Sequence, residues 1–130
     1  MNQNRLADKT KIKAHYHELV SLKTHLLEAY EARFSENRKL TEIELYRWDC
    51  IFEFYNKTLT KKLNDGYCST LIGFTIPLKQ MLAILYIVGA ADTTDYDLLN
   101  LIGKIHQKAI NTKIVDMKPL LPKARKEVRP

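Results

Sequence analysis

Residues 74–91 read FTIPLKQMLAILYIVGAA and form the longest apolar run of the chain. From Met81 to Ala91 no residue carries a charge, so a helix over this stretch has no side that suits water. Neighbouring segments, or a second molecule, must therefore cover it on several sides. We predict a central core helix from about Pro77 to Ala90, with the proline in the first turn, where its missing N–H donor costs nothing.

A membrane span is the alternative interpretation of this run, because Leu71–Ala91 approaches the length of about 20 apolar residues that crosses a bilayer. However, Lys79 and Gln80 lie near its middle, and Pro77 interrupts it. These residues are typical of a helix entrance and are costly in a bilayer interior. We therefore favour a core helix over a membrane span.

The length of 130 residues, with 45% hydrophobic and 28% charged side chains, suits one globular domain with a substantial core. We assign this single helical domain to residues 1–122 and expect the segment 123–130, KARKEVRP, to be a disordered basic tail. The polar N-terminus lacks the apolar segment of a signal peptide, which favours a cytoplasmic location. Cys50 and Cys68 are too few for a disulfide scaffold and fit a reducing compartment.

The net charge of +6 is concentrated at the two ends of the chain. Residues 104–130 contain eight basic and two acidic side chains, and residues 1–13 contain four basic and one acidic. Residues 14–103 contain nine basic and twelve acidic side chains, a net charge of −3. Because the middle of the chain is not basic, we interpret the charged ends as tails that aid solubility.

Three further segments have apolar residues at helical spacing. The first runs from about Asp8 to Phe34, and the last from about Thr94 to Asn111. The second has the clearest start, because Thr41 can cap a helix in which Glu44 reaches back to the capping residue. We predict that this second helix buries a stripe of apolar side chains: Leu45, Trp48, Phe52, Tyr55 and Leu59, widened by Ile51 and Phe54.

Two segments resist a helical assignment. Residues 67–74, YCSTLIGF, suit a short helical turn and a brief extended piece equally well, and their conformation stays open. Residues 114–121 mix apolar side chains with Pro119, so we expect an extended strap along the body. The predicted fold class is all-α, a small helical bundle of about four helices with an extended, basic C-terminal tail.

The sequence offers no convincing catalytic or metal-binding arrangement. Four possible ligands share one side of the first predicted helix: His15, Glu18, His25 and Glu28. A di-iron bundle needs Glu-x-x-His pairs on facing helices, and no second helix supplies a matching pair. Cys50 lies within an aromatic helix, and Cys68 has His106 as the only base in the C-terminal half. We therefore expect a non-enzymatic protein with no cofactor and no metal.

The surplus of apolar and aromatic side chains favours a protein partner. We expect a small regulatory or adaptor protein, such as an inhibitor, a chaperone or an assembly factor, that binds another protein through apolar helical surface. A symmetric homodimer is the simplest such association. The candidate partner-binding residues lie on the central and second helices: Met81, Leu85, Tyr86, Val88, Tyr46, Ile51 and Phe54.

The alternative function is that of a nucleic-acid-binding accessory protein that uses its basic terminal tails. The C-terminal tail would contact phosphates through four cations: Lys123, Arg125, Lys126 and Arg129. We rank this function second because the middle of the chain is acidic and no segment resembles a recognition helix with exposed Arg, Asn or Gln. The sequence does not identify the partner in either case.

Overall fold

The computed structural model describes residues 8–65, 71–89 and 93–117, with side chains described as far as Thr112. Within these residues the chain runs twice through the order strand, helix, helix. The first half contains β1 (Lys9–His15), α1 (Tyr16–Phe34) and α2 (Glu42–Phe54), and a π-helical turn (Tyr55–Leu59) and α3 (Thr60–Asp65) continue α2. The second half contains β2 (Leu71–Pro77), α4 (Leu78–Val88) and α5 (Tyr96–Met117). The mostly helical small domain predicted from the sequence is confirmed, with a two-stranded sheet added.

The two strands pair antiparallel and form a ribbon, with Lys9 opposite Pro77 and His15 opposite Leu71. Side chains on its inner face are buried in the core: Ile12, Ala14, Ile72, Phe74 and Ile76. Side chains of β1 on its outer face are exposed: Lys9, Lys11, Lys13 and His15. This alternation is what a strand with one covered face produces, because successive side chains point to opposite faces.

Each strand leads directly into a helix, and the two halves of the chain then cover each other. Helix α1 packs mainly against α5, while α2 packs mainly against α4. Helix α4 also contacts α1 and α5, so it lies at the centre of the helical layer. Six of its residues are buried: Leu78, Gln80, Met81, Ala83, Ile84 and Val88. The prediction of a central core helix is confirmed, but Pro77 precedes the helix as its N-cap and does not lie within the first turn as predicted.

The predicted first helix is wrong over its first turns, because Lys9–His15 is a strand and the helix begins at Tyr16. Only Ile12 and Ala14 in this segment face the core, which is too few apolar residues for a clear alternating pattern. Its partner strand, Leu71–Pro77, also answers the question left open at residues 67–74, since that segment is extended from Leu71 onward. Residues 67–70 lie outside the described residues.

The start of α2 is confirmed. The Thr41 hydroxyl accepts a hydrogen bond from the Glu44 backbone N–H at 3.2 Å, and the Glu44 carboxylate accepts one from the Thr41 N–H at 2.9 Å. Arg33 at the end of α1 donates two further hydrogen bonds of 3.1 Å to the same carboxylate. These contacts hold the corner between α1 and α2 in one geometry.

The predicted stripe of α2 is only partly right. Trp48 is 4% exposed and Leu59 is buried, but Leu45 and Phe52 are 49% and 38% exposed. Ile51 and Phe54, which we expected only to widen the stripe, are buried at its centre. The buried face is therefore rotated around the helix from the predicted one, because its direction depends on where α4 lies.

The end of the chain also differs from prediction. Helix α5 begins at Tyr96 and continues to Met117, so residues 114–117 of the predicted strap are helical. The remainder of the strap and the basic tail at 123–130 lie outside the described residues. The domain limit at residue 122 therefore stays a prediction. In the described part of the chain no helix is long and apolar enough to cross a bilayer.

Candidate functional site

The seven predicted partner-binding residues divide into a buried group and an accessible group. Four of them are at most 4% exposed and belong to the core of this fold: Met81, Val88, Ile51 and Phe54. They face the core because α2 packs on α4, and α4 packs in turn on α1 and α5. Leu85 is half-buried, while Tyr46 and Tyr86 are 48% and 60% exposed. Only the accessible three can contribute to a surface, and the role of that surface in partner binding stays a prediction.

Tyr46 and Tyr86 belong to one apolar surface between α2 and α4, which we call the tyrosine patch. It also includes Ile43, which is 57% exposed, and the half-buried Leu82. These side chains line a shallow depression of about 330 Å³ together with Arg47, Lys79 and Ala83. Since Tyr46, Tyr86 and Ile43 are each about half exposed or more, the patch presents a continuous apolar area to solvent.

Arg47 forms the rim of the tyrosine patch. Its guanidinium carbon lies 3.4 Å from the centre of the Tyr86 ring, a cation–π contact, and both side chains line two depressions. The second depression, about 320 Å³, is lined on its far side by Arg33, Glu44 and Trp48. Within the described residues Arg47 has no carboxylate at ion-pair distance, so its charge is available to a bound molecule.

A second aromatic cluster lies at the other side of α2, where this helix meets α1. The rings of Tyr30, Phe34, Trp48 and Phe52 contact one another at centroid distances of 4.5 to 5.9 Å. Edge-to-face and tilted pairs of this kind stabilise a helix interface beyond the burial of their area. Trp48 is their buried member, so we assign this cluster mainly to packing of α1 on α2.

The sequence did not identify Ile43, Leu82, Arg47 and Lys79 as members of the tyrosine patch. No local signal distinguishes them, because Ile43 and Leu82 have the same residue types as core positions. Their exposure follows only from the angle at which α2 packs on α4. Lys79 is a polar interruption of the apolar run, and the structure places it at the edge of the patch with its ammonium 3.8 Å from Glu53.

Ser21, His25 and Asp95 bring together the side-chain types of a hydrolytic triad, but their contacts are wrong for catalysis. The Ser21 hydroxyl donates to Asp95 at 3.3 Å, and the His25 Nδ1 lies 2.9 Å from the Ser21 carbonyl oxygen. A triad instead requires the serine hydroxyl to donate to the histidine. Asp95 also accepts from the backbone N–H groups of Asp97 and Leu98, so its role here is to cap α5 and tie it to α1.

The candidate cysteine and metal chemistry stays without structural support. Cys50 is 3% exposed, and burial raises the pKa of its thiol, which disfavours the reactive thiolate. His106 is exposed on α5, and Cys68 lies outside the described residues. Glu18 is buried and pairs with Lys104, and no group of three His, Cys, Asp or Glu side chains within the described ranges could hold a metal ion.

The four basic residues of the alternative function, Lys123, Arg125, Lys126 and Arg129, lie outside the described residues. Comparison with known proteins identifies no relative: no protein-family model, no curated protein and no solved structure matches this chain. Function must therefore be inferred from the side chains that the structure describes.

Proposed function

We propose that this protein is a small, non-enzymatic regulatory or adaptor protein that acts by binding another protein through the tyrosine patch. The observation that carries the proposal is the exposure of Ile43, Tyr46 and Tyr86 beside an arginine, Arg47, whose charge is available to a partner. Aromatic residues and arginine are enriched at protein interfaces, because they bury a large area and retain a polar group. An inhibitor, a chaperone and an assembly factor all fit this mode of action.

The shape and charge of the patch favour an amphipathic helix as the bound segment. Tyr86 and Arg47 stand between two depressions, each about as large as one or two bulky side chains. The apolar depression has only basic charges at its rim, from Arg47 and Lys79, and contains no carboxylate. A partner helix with two apolar anchors one turn apart and an acidic residue beside them would complement it. A second copy of the chain is the other candidate occupant.

The test compares three forms of the full chain as bait: wild type, Tyr86→Glu and the control Tyr96→Glu. Tyr96 is 76% exposed on α5 and lies outside the patch, so its substitution adds the same charge at a surface tyrosine elsewhere. We expect a partner that binds wild type and Tyr96→Glu but does not bind Tyr86→Glu. If the occupant is a second copy, light scattering at micromolar concentration should show a dimer for wild type and Tyr96→Glu and a monomer for Tyr86→Glu.

Circular dichroism should show that each variant remains folded, because both tyrosines are mostly exposed and lie outside the core. The proposal is wrong if all three baits bind the same proteins and all three are monomers at high concentration. It is also wrong if Tyr96→Glu alone abolishes the association, since this would place the interface on α5.

A further inference from the structure

The outer face of the β1–β2 ribbon carries a row of lysines that the interpretation of the N-terminus as a tail did not anticipate. Lys9, Lys11 and Lys13 are exposed and lie on one face at every second position of β1. Neither strand contains an acidic residue. Within the described residues no carboxylate pairs with any of the three lysines. The folded body therefore presents a concentrated positive charge on a rigid sheet.

The ribbon is fixed to the body at both ends and along its inner face. Lys104 from α5 donates a hydrogen bond of 3.1 Å to the Lys13 carbonyl oxygen, and the Leu78 N–H donates one of 2.9 Å to the Asp8 carbonyl oxygen. Its inner side chains are at most 9% exposed. The core is formed by the inner face, and the three exposed lysines of the outer face are not packed in it.

The β2 side of the outer face is low and free of bulky side chains at its centre. Gly73 lies opposite Lys13, and Thr75 lies opposite Lys11. A Cβ atom at Gly73 would lie 3.4 Å from the Lys11 Cε, so the lysine stem extends across the glycine. The outer face thus combines three cations and a threonine, with the Lys11 stem lying across the glycine.

We propose that this outer face binds duplex DNA in the major groove, with Lys11, Lys13 and Thr75 against the base edges and Lys9 near the phosphates. A two-stranded ribbon is about 5 Å between strand axes. The major groove, about 12 Å wide, admits such a ribbon. Alternate residues of a strand are spaced by about 6.6 Å. Two base-pair steps span about 6.8 Å along the duplex, so each lysine would lie about two base pairs from the next one.

The residue types on the ribbon suit base edges as well as phosphates. Lysine donates to the O6 and N7 acceptors of guanine, and threonine contacts either base type through its hydroxyl or methyl group. Near Lys9, a depression also lined by Lys57 and Lys79 adds two cations at the end of the ribbon. Its single carboxylate, Glu53, lies within 3.9 Å of both ammonium groups, so the rim keeps a net positive charge.

The test measures anisotropy of a fluorescently labelled, mixed-sequence DNA duplex with the full chain. The ribbon variant carries Lys9→Gln, Lys11→Gln and Lys13→Gln. We expect it to bind at least about tenfold more weakly at 0.1 M salt, and the slope of log K against log salt to fall by about 0.9 for each phosphate that the variant no longer neutralises. Circular dichroism should show an unchanged fold, because the three side chains are exposed.

Two full-chain controls separate the ribbon from general charge and from the tail. The first replaces three exposed lysines outside the ribbon, Lys39, Lys61 and Lys108, by Gln and so has the same net charge as the ribbon variant. The second replaces four tail residues by Gln: Lys123, Arg125, Lys126 and Arg129. We expect each control to keep affinity within about threefold of wild type, because neither alters the groove-binding face.

The choice of groove and nucleic acid is tested with the same assay. Methyl green, which occupies the major groove, should compete with the protein, and duplex RNA of the same sequence should bind at least about tenfold more weakly, since its major groove is too narrow for side chains. The proposal is wrong if wild type does not bind DNA at about 50 mM salt. It is equally wrong if the ribbon variant binds like the lysine control, if the tail variant alone fails to bind, or if RNA binds as well as DNA.

Discussion

The contact between Glu18 and Lys104 joins the β1–α1 junction to α5, which lies far along the chain. The Glu18 side chain in the first turn of α1 is 5% exposed, and the Lys104 ammonium lies 3.0 Å from its Oε1. The same carboxylate accepts a hydrogen bond of 2.9 Å from the His15 N–H, while Lys104 also donates to the Lys13 carbonyl. The pair therefore links the end of β1 to α5.

Replacing Lys104 by Met keeps the apolar stem and removes the ammonium group. Within the described residues Glu18 is then left buried with the His15 N–H as its remaining donor. Losing a hydrogen bond to a charged group costs about 1.5–3 kcal/mol, and breaking a fully buried ion pair costs about 3–5 kcal/mol. The Lys104 side chain is 38% exposed, so water can partly replace it. We therefore expect a loss of about 2–3 kcal/mol in the free energy of unfolding.

Urea denaturation followed by circular dichroism measures this loss. The matched control is Lys108→Met, an exposed lysine one turn further along α5, which should change stability by less than about 0.5 kcal/mol. In the double variant Glu18→Gln, Lys104→Met no charge remains buried. Its loss of stability should therefore differ by at least about 1 kcal/mol from the sum of the losses in the two single variants. A loss below about 0.5 kcal/mol for Lys104→Met, or simple additivity, would refute the contact.

Two further predictions follow from α2. Trp48→Ala should cost about 3–5 kcal/mol, because the ring is 4% exposed among Tyr30, Phe34 and Phe52; a loss below about 1 kcal/mol by urea denaturation would place the ring on the surface. Hydrogen bonds from Arg33, and then from the Thr41 backbone, lower the pKa of Glu44 from 4.5 to about 2. The carboxylate's contribution to stability is therefore complete above pH 4.5 and lost as the pH falls towards 2. The thermal stability of Glu44→Gln should therefore fall less than that of wild type as the pH is lowered from 4.5 towards 2. The same pH dependence in both proteins would contradict this prediction.

Local signals predicted the helices well. The capping box of Thr41 and Glu44 is visible in four consecutive residues, and the structure contains both of its hydrogen bonds. The uncharged run after Met81 predicted a helix covered on several sides, and Met81, Ile84 and Val88 are buried. Such signals succeed because their physical causes, a capped N–H and a helix without a polar face, act within a few turns of the same segment.

Local signals failed for the faces of the helices and therefore for much of the candidate site. Residue type could not separate Ile51 and Phe54, which are buried, from Ile43 and Tyr46, which are exposed. All four occupy α2, and their burial depends on the direction from which α4 and the aromatic side chains of α1 approach. The tyrosine patch became visible only when that direction was known.

The sequence by itself determined that the chain is mainly helical, where α2 begins and which segment lies at the centre, because these properties follow from short-range spacing and capping. Only the tertiary structure decided that Lys9–His15 is a strand and not the start of a helix. A strand is stabilised by hydrogen bonds to a partner, and the partner of Ile12 is Phe74, far along the chain. Because of that long-range pairing, Lys9, Lys11 and Lys13 lie on one face of a sheet, whereas the sequence had placed them in a tail.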